Sequence, residues 1–253
     1  MKITFLGTGT SQGVPVIACG CKVCTSNDTR DKRLRCSVLV EFNRRTLVID
    51  TGPDFRQQML QNNVQRLDAV LFTHEHKDHV AGLDDVRAFN FIMNQHMDVY
   101  LTAAVEEAIR REFSYIFADF KYPGIPLIDL HRIENKPFEL FGEEIQPIEV
   151  MHYKMPVLGF RINDFVYITD ANSISNEELE KAKGAKVLVL NALRREPHVS
   201  HFTLKEALKV IESISPERAF LTHLSHQMGT HQEVSKELPL NVEIAYDGLS
   251  IEL

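Results

Sequence analysis

The chain has 253 residues, of which 44% are apolar and 25% charged, and its formal net charge is −7. This is the composition of an average globular protein and contains no biased tract. The negative charge argues against an extended nucleic-acid groove, which requires a basic face. A small anionic substrate stays open, because bound metal ions can supply local positive charge. Since no repeat or linker interrupts the chain, we expect a single domain over residues 1–253.

The first apolar run, at residues 2–6, is short, and Gly7 and Gly9 end it. A signal peptide needs a longer apolar stretch and a small-residue cleavage site, so the run predicts a first strand instead. No segment of the sequence approaches the about 18 consecutive apolar residues that indicate a membrane span. We therefore expect no membrane association.

Short β-rich runs and amphipathic stretches alternate along both halves. Thr203 and Glu206 have the spacing of a capping box, and Asp54 stands where an N-cap would. The proline-rich stretch 114–137 predicts a loop, either bordering a site or plain surface. Hairpin-like strand pairs together with helix–strand alternation predict an α/β (α+β) fold with two mixed sheets and helices outside them. The predicted strands are 2–6, 36–42, 46–50, 69–72, 98–102, 144–150, 157–162, 165–169, 186–190, 218–222 and 242–246, and the predicted helices are 54–62, 103–113, 176–183 and 203–213.

Three of the four cysteines lie close together, at Cys19, Cys21 and Cys24. This spacing is too tight for ordinary structural disulfides and is typical of thiolate metal ligands, so it predicts a small Cys-rich metal-binding segment at about 16–36. The alternative is a loop of three reduced thiols. Thiolate usage favours the cytoplasm as the compartment. Cys36 opens a predicted strand and is expected in the core.

Three imidazoles and a carboxylate follow the predicted strand 69–72, in the run HEHKDH at 74–79. Such groups are costly to bury unless something binds them, and a metal ion is the simplest partner. Side chains at i and i+2 of an extended segment point the same way, so His74 and His76 can share one ion. Asp78 and His79, at the turn into a short helix, can address a second ion. The alternative interpretation is a charged surface turn.

Two coordination spheres need more ligands than this run provides. His152, Asp170 and His223 each stand at the end of a predicted apolar strand. Strand ends are where α/β proteins place site residues. Taken singly, each could be a cap or a satisfied polar group, but together with the run at 74–79 they indicate a two-metal centre.

The run at 74–79 resembles the H-x-H-x-D-H signature of the metallo-β-lactamase superfamily, and His152, Asp170 and His223 match its later motifs in order. The likeness covers essentially the whole chain and implies a four-layer αβ/βα sandwich with metals at one edge. Within the superfamily, the chain resembles the PhnP-type phosphodiesterases. That resemblance is carried by the opening GTGTSQGVP at 7–15, the Cys-x-Cys-x-x-Cys insertion and THLSH at 222–226.

The resemblance implies a complete ligand set for three metal ions. At the reaction centre, three histidines hold one ion, and an aspartate with two further histidines holds the second. The carboxylate of another aspartate bridges the two ions. A structural zinc completes the set, and manganese is implied at the reaction centre, although the donor atoms there suit Zn, Mn or Fe. The three sets are His74, His76 and His152; Asp78, His79 and His223, with Asp170 bridging; and Cys19, Cys21, Cys24 and His226.

By the same resemblance the activity is hydrolysis of a small, cyclic sugar or nucleotide phosphodiester by a hydroxide that bridges two divalent ions, Mn or Zn. His201, just before a predicted helix, is implied as the general acid, with His198 as the fallback. Asp78 would also orient the attacking water, and Asp50 would orient a ligand histidine. Asn191 stands where this subgroup usually carries Asp.

Three other functions remain open at this point. A tRNA 3′-end endonuclease shares the metal set, but the net charge of −7 and the compact stretch 171–222 argue against nucleic acid as a partner. A lactone or thioester hydrolase is open to the same scaffold, and so is a non-enzymatic binding module. The expected partner is therefore a small phosphodiester substrate, and the resemblance implies that such chains commonly form homodimers.

Overall fold

Two seven-stranded sheets make up the centre of the computed structural model, which describes residues 1–120 and 122–253. The first sheet has the order β14-β1-β2-β3-β4-β5-β6 and the second the order β13-β12-β11-β10-β9-β8-β7. The strands of the first sheet are β1 (Lys2–Gly7), β2 (Ser37–Phe42), β3 (Arg45–Ile49), β4 (Ala69–Leu71), β5 (Met97–Leu101), β6 (Ile128–Arg132) and β14 (Ser250–Glu252). Those of the second are β7 (Phe138–Leu140), β8 (Glu143–His152), β9 (Met155–Ile162), β10 (Phe165–Ile168), β11 (Val187–Asn191), β12 (Arg218–Thr222) and β13 (Val242–Ile244).

Each sheet is mixed in the same way. From β14 to β3 and from β7 to β10 neighbouring strands run antiparallel, whereas β3 to β6 and β10 to β13 run parallel. Parallel strands are joined by crossovers whose helices cover the sheet. The helices are α1 (Phe55–Gln61), α2 (Lys77–Val80), α3 (Arg87–Met93), α4 (Ala103–Glu112), α5 (Asn176–Ala182), α6 (Leu204–Ile214) and α7 (His231–Ser235).

Helix α6 shows how local sequence fixes an element. Its N-terminus carries the capping box that the sequence predicts, in which the Thr203 hydroxyl accepts from the Glu206 N–H while the Glu206 carboxylate accepts from the Thr203 N–H. The buried positions include Leu204, Ala207 and Ile211, which share one helical face. Asp54, in contrast, stands at the N-cap position of α1 without capping it.

Three apolar clusters divide the molecule into four layers. The first lies between the sheets and includes Phe5 of β1 together with Phe160 of β9 and Phe220 of β12. The second packs α5 and α6 on the outer face of the second sheet, and the third packs α1, α3 and α4 on the first. The predicted αβ/βα sandwich of two mixed sheets is therefore confirmed. Among the described residues no helix is both long and apolar enough to cross a bilayer.

The loop predicted over residues 114–137 is wrong in part. Its second half contains β6, which pairs in parallel with β5 at the edge of the first sheet. The residues of β6 are only partly buried because an edge strand has a partner on one side. The short strands β7 and β14 were also absent from the predicted elements, since three residues are too few to show a period.

Candidate metal centre

The site residues stand where strands of both sheets end. Asp50 follows β3, Asp170 lies two residues after β10, and His223 follows β12. All three have a left-handed backbone, with φ values of 66°, 57° and 57°. This conformation is uncommon for residues other than glycine and is typical of functional sites. It turns the chain sharply after each strand, so these side chains converge at one edge of the sandwich.

The first group of candidate ligands consists of His74, His76, His152 and Asp170, whose donor atoms lie within 4.8 Å of one another. His74 Nε2 is 3.5 Å from Asp170 Oδ2 and 3.1 Å from His76 Nδ1. The His152 Nδ1–H donates to the Ser200 carbonyl at 2.7 Å. Because a carbonyl only accepts, this bond leaves His152 Nε2 unprotonated and able to bind a cation.

The second group consists of Asp78, His79, Asp170 and His223, again within 4.8 Å. The same Asp170 carboxylate faces both groups: its Oδ2 is 3.3 Å from His79 Nε2 and its Oδ1 is 3.1 Å from His223 Nε2. Helix α2, which carries Asp78, packs against Gly52, where a Cβ would come within 2.2 Å of the Asp78 carbonyl oxygen. Only glycine allows the helix and the loop after β3 to lie this close.

Asp50 controls one histidine of each group. Its Oδ2 accepts from His79 Nδ1 at 2.7 Å and from the Thr73 hydroxyl at 2.9 Å, while its Oδ1 accepts from the Thr73 N–H. Since the Thr73 hydroxyl gives its proton to Asp50, it accepts from His74 Nδ1 at 2.9 Å. Both rings therefore carry a proton on Nδ1 and turn Nε2 toward the ligand groups. The orienting role predicted for Asp50 agrees with these contacts, whereas no role was predicted for Thr73.

The electrostatics of the centre call for additional positive charge. Burial acts to raise the pKa of Asp170, yet His223 and His79 hold it well below its ordinary value. Burial acts to lower the pKa of His79, yet Asp170, Asp78 and Asp50 raise it well above its ordinary value. For His74, burial and the neighbouring His79 lower the pKa. The centre thus favours ionised carboxylates with cations beside them.

These residues fit a pair of divalent ions. Among the described residues, the Nε2 atoms of His79 and His223 are buried without any hydrogen-bond partner. Buried polar atoms are normally satisfied, so unpaired imidazole nitrogens that face carboxylates fit the coordination of a cation. Imidazole nitrogen and carboxylate oxygen are the donors that Zn and Mn accept. The first three histidines would hold one ion, Asp78, His79 and His223 the other, and Asp170 would contact both.

His201 lies beside the centre but belongs to neither ligand group. Its Nε2 is 3.5 Å from Asp170 Oδ2, and its ring stacks on His223 at 4.8 Å between centroids. Its Nδ1 faces the Ser200 hydroxyl at 3.1 Å and His198 Nδ1 at 3.2 Å. Burial lowers the pKa of His201 to about 4, with Asp170 opposing the shift. Of the two histidines, His201 is therefore the one that faces the centre directly.

A separate group of candidate metal ligands lies in the Cys-rich segment. Cys19, Cys21 and Cys24 surround His226, with sulfur to Nδ1 distances of 3.3, 3.4 and 3.6 Å. A hydrogen bond from the Cys24 N–H lowers the pKa of Cys21 to about 6, and burial raises that of Cys24 to about 11. The structure thus brings together the four residues of the predicted zinc site, and a Cys₃His set suits a closed tetrahedral zinc.

The basic residues of the Cys-rich segment are committed to the fold. The buried Arg33 guanidinium donates to the Thr8 hydroxyl and the Ala245 carbonyl at 2.7 and 2.6 Å. Arg35 binds the Asp54 carboxylate, which explains why Asp54 does not cap α1. Cys36 is buried as predicted, and its sulfur lies 3.2 Å from the Tyr167 hydroxyl.

Comparison with known proteins agrees with this geometry. The sequence model of a family described as "Beta-lactamase superfamily domain" matches residues 45–224. A structure described as a new diphosphatase from the PhnP family superposes with a TM-score of 0.93 at 37% identity, covering 100% of this chain and 97% of that one. An octanoyltransferase of Porphyromonas gingivalis is 40% identical over 98% of this chain and 51% of its own length. Ribonuclease Z of Acaryochloris marina is 27% identical over 65% of this chain and 48% of its own.

The sandwich and its His/Asp cluster, which could hold metal ions, define a hydrolase of the metallo-β-lactamase superfamily. The chain spans about half the length of the octanoyltransferase and the ribonuclease Z, but nearly all of the PhnP-family structure. The chain belongs to the PhnP family of the metallo-β-lactamase superfamily, and the predicted family is confirmed.

Proposed function

We propose that the protein is a phosphodiesterase that hydrolyses a small, cyclic sugar or nucleotide phosphodiester. The observation that carries this proposal is Asp170, whose carboxylate faces both ligand groups and also the unpartnered Nε2 of His201. A metal pair with an adjacent proton donor is the arrangement that phosphoryl transfer to water requires. When bound, the ions would supply a water of lowered pKa and stabilise the charge that develops at phosphorus.

The residues of the chain divide the remaining work. Asp50 fixes the Nδ1 protons of His79 and, through Thr73, of His74, so that both Nε2 atoms can bind. Asp78 is the partly exposed carboxylate of the second group, with 12% of its side chain accessible, and would orient the incoming water. The imidazole of His201 would donate its Nε2 proton to the leaving oxygen.

The proton on His201 depends on the substrate. Burial lowers the pKa of His201 to about 4, so the free site holds a neutral ring at pH 7. An anionic phosphodiester beside Nε2 stabilises the imidazolium and opposes that shift. His198 and Ser200 meet the other ring nitrogen and hold the orientation of the ring. Substrate binding would therefore favour the protonated ring from which the leaving oxygen takes its proton.

Diphosphate hydrolysis is a second candidate, because the PhnP-family structure that covers the whole chain is described as a diphosphatase. The two candidates differ in the leaving group. A sugar alkoxide needs a proton, whereas a phosphate leaving group carries its charge without one. Loss of a general acid costs about 100- to 10,000-fold where it is needed. His201→Ala should therefore abolish most turnover of a cyclic phosphodiester and far less turnover of a diphosphate.

Two further functions have weaker support. The octanoyltransferase relative suggests acyl or thioester chemistry, but this chain matches only 51% of it, so that activity can reside in the unmatched part. The ribonuclease Z relatives suggest tRNA processing. Residues 171–222 contain strands β11 and β12 of the second sheet and helices α5 and α6 packed on its outer face, which argues against a long protruding arm for tRNA. An octanoyl thioester and a precursor tRNA belong in the substrate panel as tests of these functions.

The deciding experiment measures metal content and then turnover. Purified protein is analysed for metals, loaded with manganese, and assayed on bis(4-nitrophenyl) phosphate, 2′,3′-cyclic nucleotides, a nucleoside diphosphate and an octanoyl thioester. We expect two ions at the His/Asp groups, a third at the thiolates, and turnover of the cyclic phosphodiester that His201→Ala removes. His131→Gln, a change at a surface histidine paired with Asp98, is the matched control and should leave the rate unchanged. A single ion per chain, or turnover of the thioester alone, contradicts the proposal.

A further inference from the structure

Asn191, the last residue of β11, makes an unusual pair of hydrogen bonds. Its side chain is completely buried. The amide oxygen accepts from the Ala171 N–H at 2.8 Å, and the amide nitrogen donates to the Ala171 carbonyl at 2.9 Å. One side chain thus holds both backbone polar groups of a single residue, which fixes the orientation of that residue at two points.

Ala171 connects two parts of the candidate site. It directly follows Asp170, whose left-handed backbone (φ 57°) turns its carboxylate toward both ligand groups. The Ala171 carbonyl also accepts from the Phe202 N–H at 2.8 Å, and Phe202 directly follows His201. A shift of Ala171 would therefore move both Asp170 and His201, whose side chains stand 3.5 Å apart.

We propose that Asn191 is a positioning residue that sets the relation between Asp170 and His201. The inference rests on the proposed function for the role of His201, but its effect on Asp170 concerns metal binding alone. Asp170 belongs to both ligand groups, so its displacement should lower the affinity for both metal ions. Residues that orient metal ligands typically contribute about 10- to 100-fold to metal affinity or activity.

The chemistry of the amide explains why Asn fits at this position. An amide offers one acceptor and one donor side by side, and Ala171 presents a donor and an acceptor in the same order. An aspartate would keep the bond to the Ala171 N–H but would place a carboxylate oxygen about 2.9 Å from the Ala171 carbonyl oxygen. Asn191→Asp should therefore be intermediate between wild type and Asn191→Ala.

The chain contains a matched control. Asn90 of α3 is also buried, and its amide makes the same pair of bonds: it accepts from the Leu127 N–H at 3.0 Å and donates to the Leu127 carbonyl at 2.9 Å, with a further bond to the Gln95 carbonyl at 2.9 Å. Leu127 directly precedes β6, the edge strand of the first sheet, away from both ligand groups. Asn90→Ala thus removes the same type of clamp without touching the site.

The test compares Asn191→Ala with Asn90→Ala. Both variants should lose thermal stability. Only Asn191→Ala should bind the two manganese ions of the reaction centre about 10- to 100-fold more weakly in competition with a chelator. On a 2′,3′-cyclic nucleotide it should also lower kcat about 10-fold or more, with KM changed less than about threefold, because the substrate still meets the same surface.

Several outcomes would overturn the inference. Equal manganese affinity in the two variants would show that Asn191 only stabilises the fold. If Asn191→Ala cannot be recovered folded, Asn191→Asp is compared with Asn90→Asp, and equal affinity there is equally decisive against it. If wild type turns over no phosphodiester, the proposed function fails, while the manganese titration still decides whether Asn191 positions Asp170.

Discussion

Replacing Asp50 by Asn should disable both ligand groups at once. The carboxylate accepts at Oδ1 from the Thr73 N–H and at Oδ2 from two donors, the Thr73 hydroxyl and His79 Nδ1. The amide of the variant keeps its oxygen on the Thr73 N–H and therefore turns its NH₂ toward those two donors. His79 must then accept at Nδ1 and move its proton to Nε2, where it blocks metal binding.

The size of the effect follows from this change of tautomer. Outer contacts of this kind contribute about 10- to 100-fold to metal affinity, which corresponds to roughly 1.4 to 2.8 kcal/mol per ion. His74 depends on Asp50 through the Thr73 hydroxyl, so the ion of the first group should weaken as well. We expect Asp50→Asn to retain less than a tenth of the manganese that wild type retains at limiting free metal.

The assay is a manganese titration against a chelator, combined with thermal unfolding of the metal-free proteins. Asp247→Asn is the control, since Asp247 is a carboxylate that also accepts from one backbone N–H (Leu34) and one threonine hydroxyl (Thr8), but contacts no ligand histidine. It should lose stability and keep its manganese affinity. The reasoning is refuted if Asp50→Asn binds both ions within threefold of wild type.

Three further changes test other parts of the structure. Cys21→Ser should remove one zinc per chain by elemental analysis while leaving the manganese of the His/Asp groups in place; loss of all metals would contradict separate sites. Thr203→Ala removes the capping box of α6 and should cost about 1 kcal/mol, seen as a fall in Tm of roughly 2–4 °C. Burial lowers the pKa of His231 to about 4, so the unfolded chain binds the extra proton between about pH 4 and 6.5. Stability should therefore fall as the pH drops through that window, and His231→Gln should flatten the slope measured by denaturant unfolding at each pH.

The ligand positions could be predicted from the sequence because a polar residue stands at the end of each of several apolar strands. His152, Asp170 and His223 stand out in this way, and the structure places all three at one edge with the run at 74–79. The grouping by ion and the role of His226 came only from family resemblance. The structure contains two candidate ligand groups that share Asp170, in agreement with that grouping. The metal identities stay predictions.

The supporting contacts could not be predicted because they depend on tertiary structure. Thr73 and Ser200 are ordinary polar residues in the sequence, and Asn191 stood out only by resemblance, as a departure from Asp. The partners of the three lie 23, 48 and 20 positions away. The left-handed backbone at Asp50 and Asp170 was equally hidden, since aspartate carries no Gly-like signal for it. Edge strand β6 was missed because nearby prolines outweighed its weak alternation.

Both ligand groups of the reaction centre contain residues that follow strands of both sheets. His74 and His76 come from the first sheet and His152 from the second, while His79 pairs across with His223. Each ion would thus link the two halves of the sandwich, because its ligands come from both sheets. The concentration of free ion then affects the free energy of unfolding. Each ion adds about 2.7 kcal/mol when it is present at 100 times its dissociation constant. Loss of metal in the cell would therefore lower the stability of the fold as well as the activity.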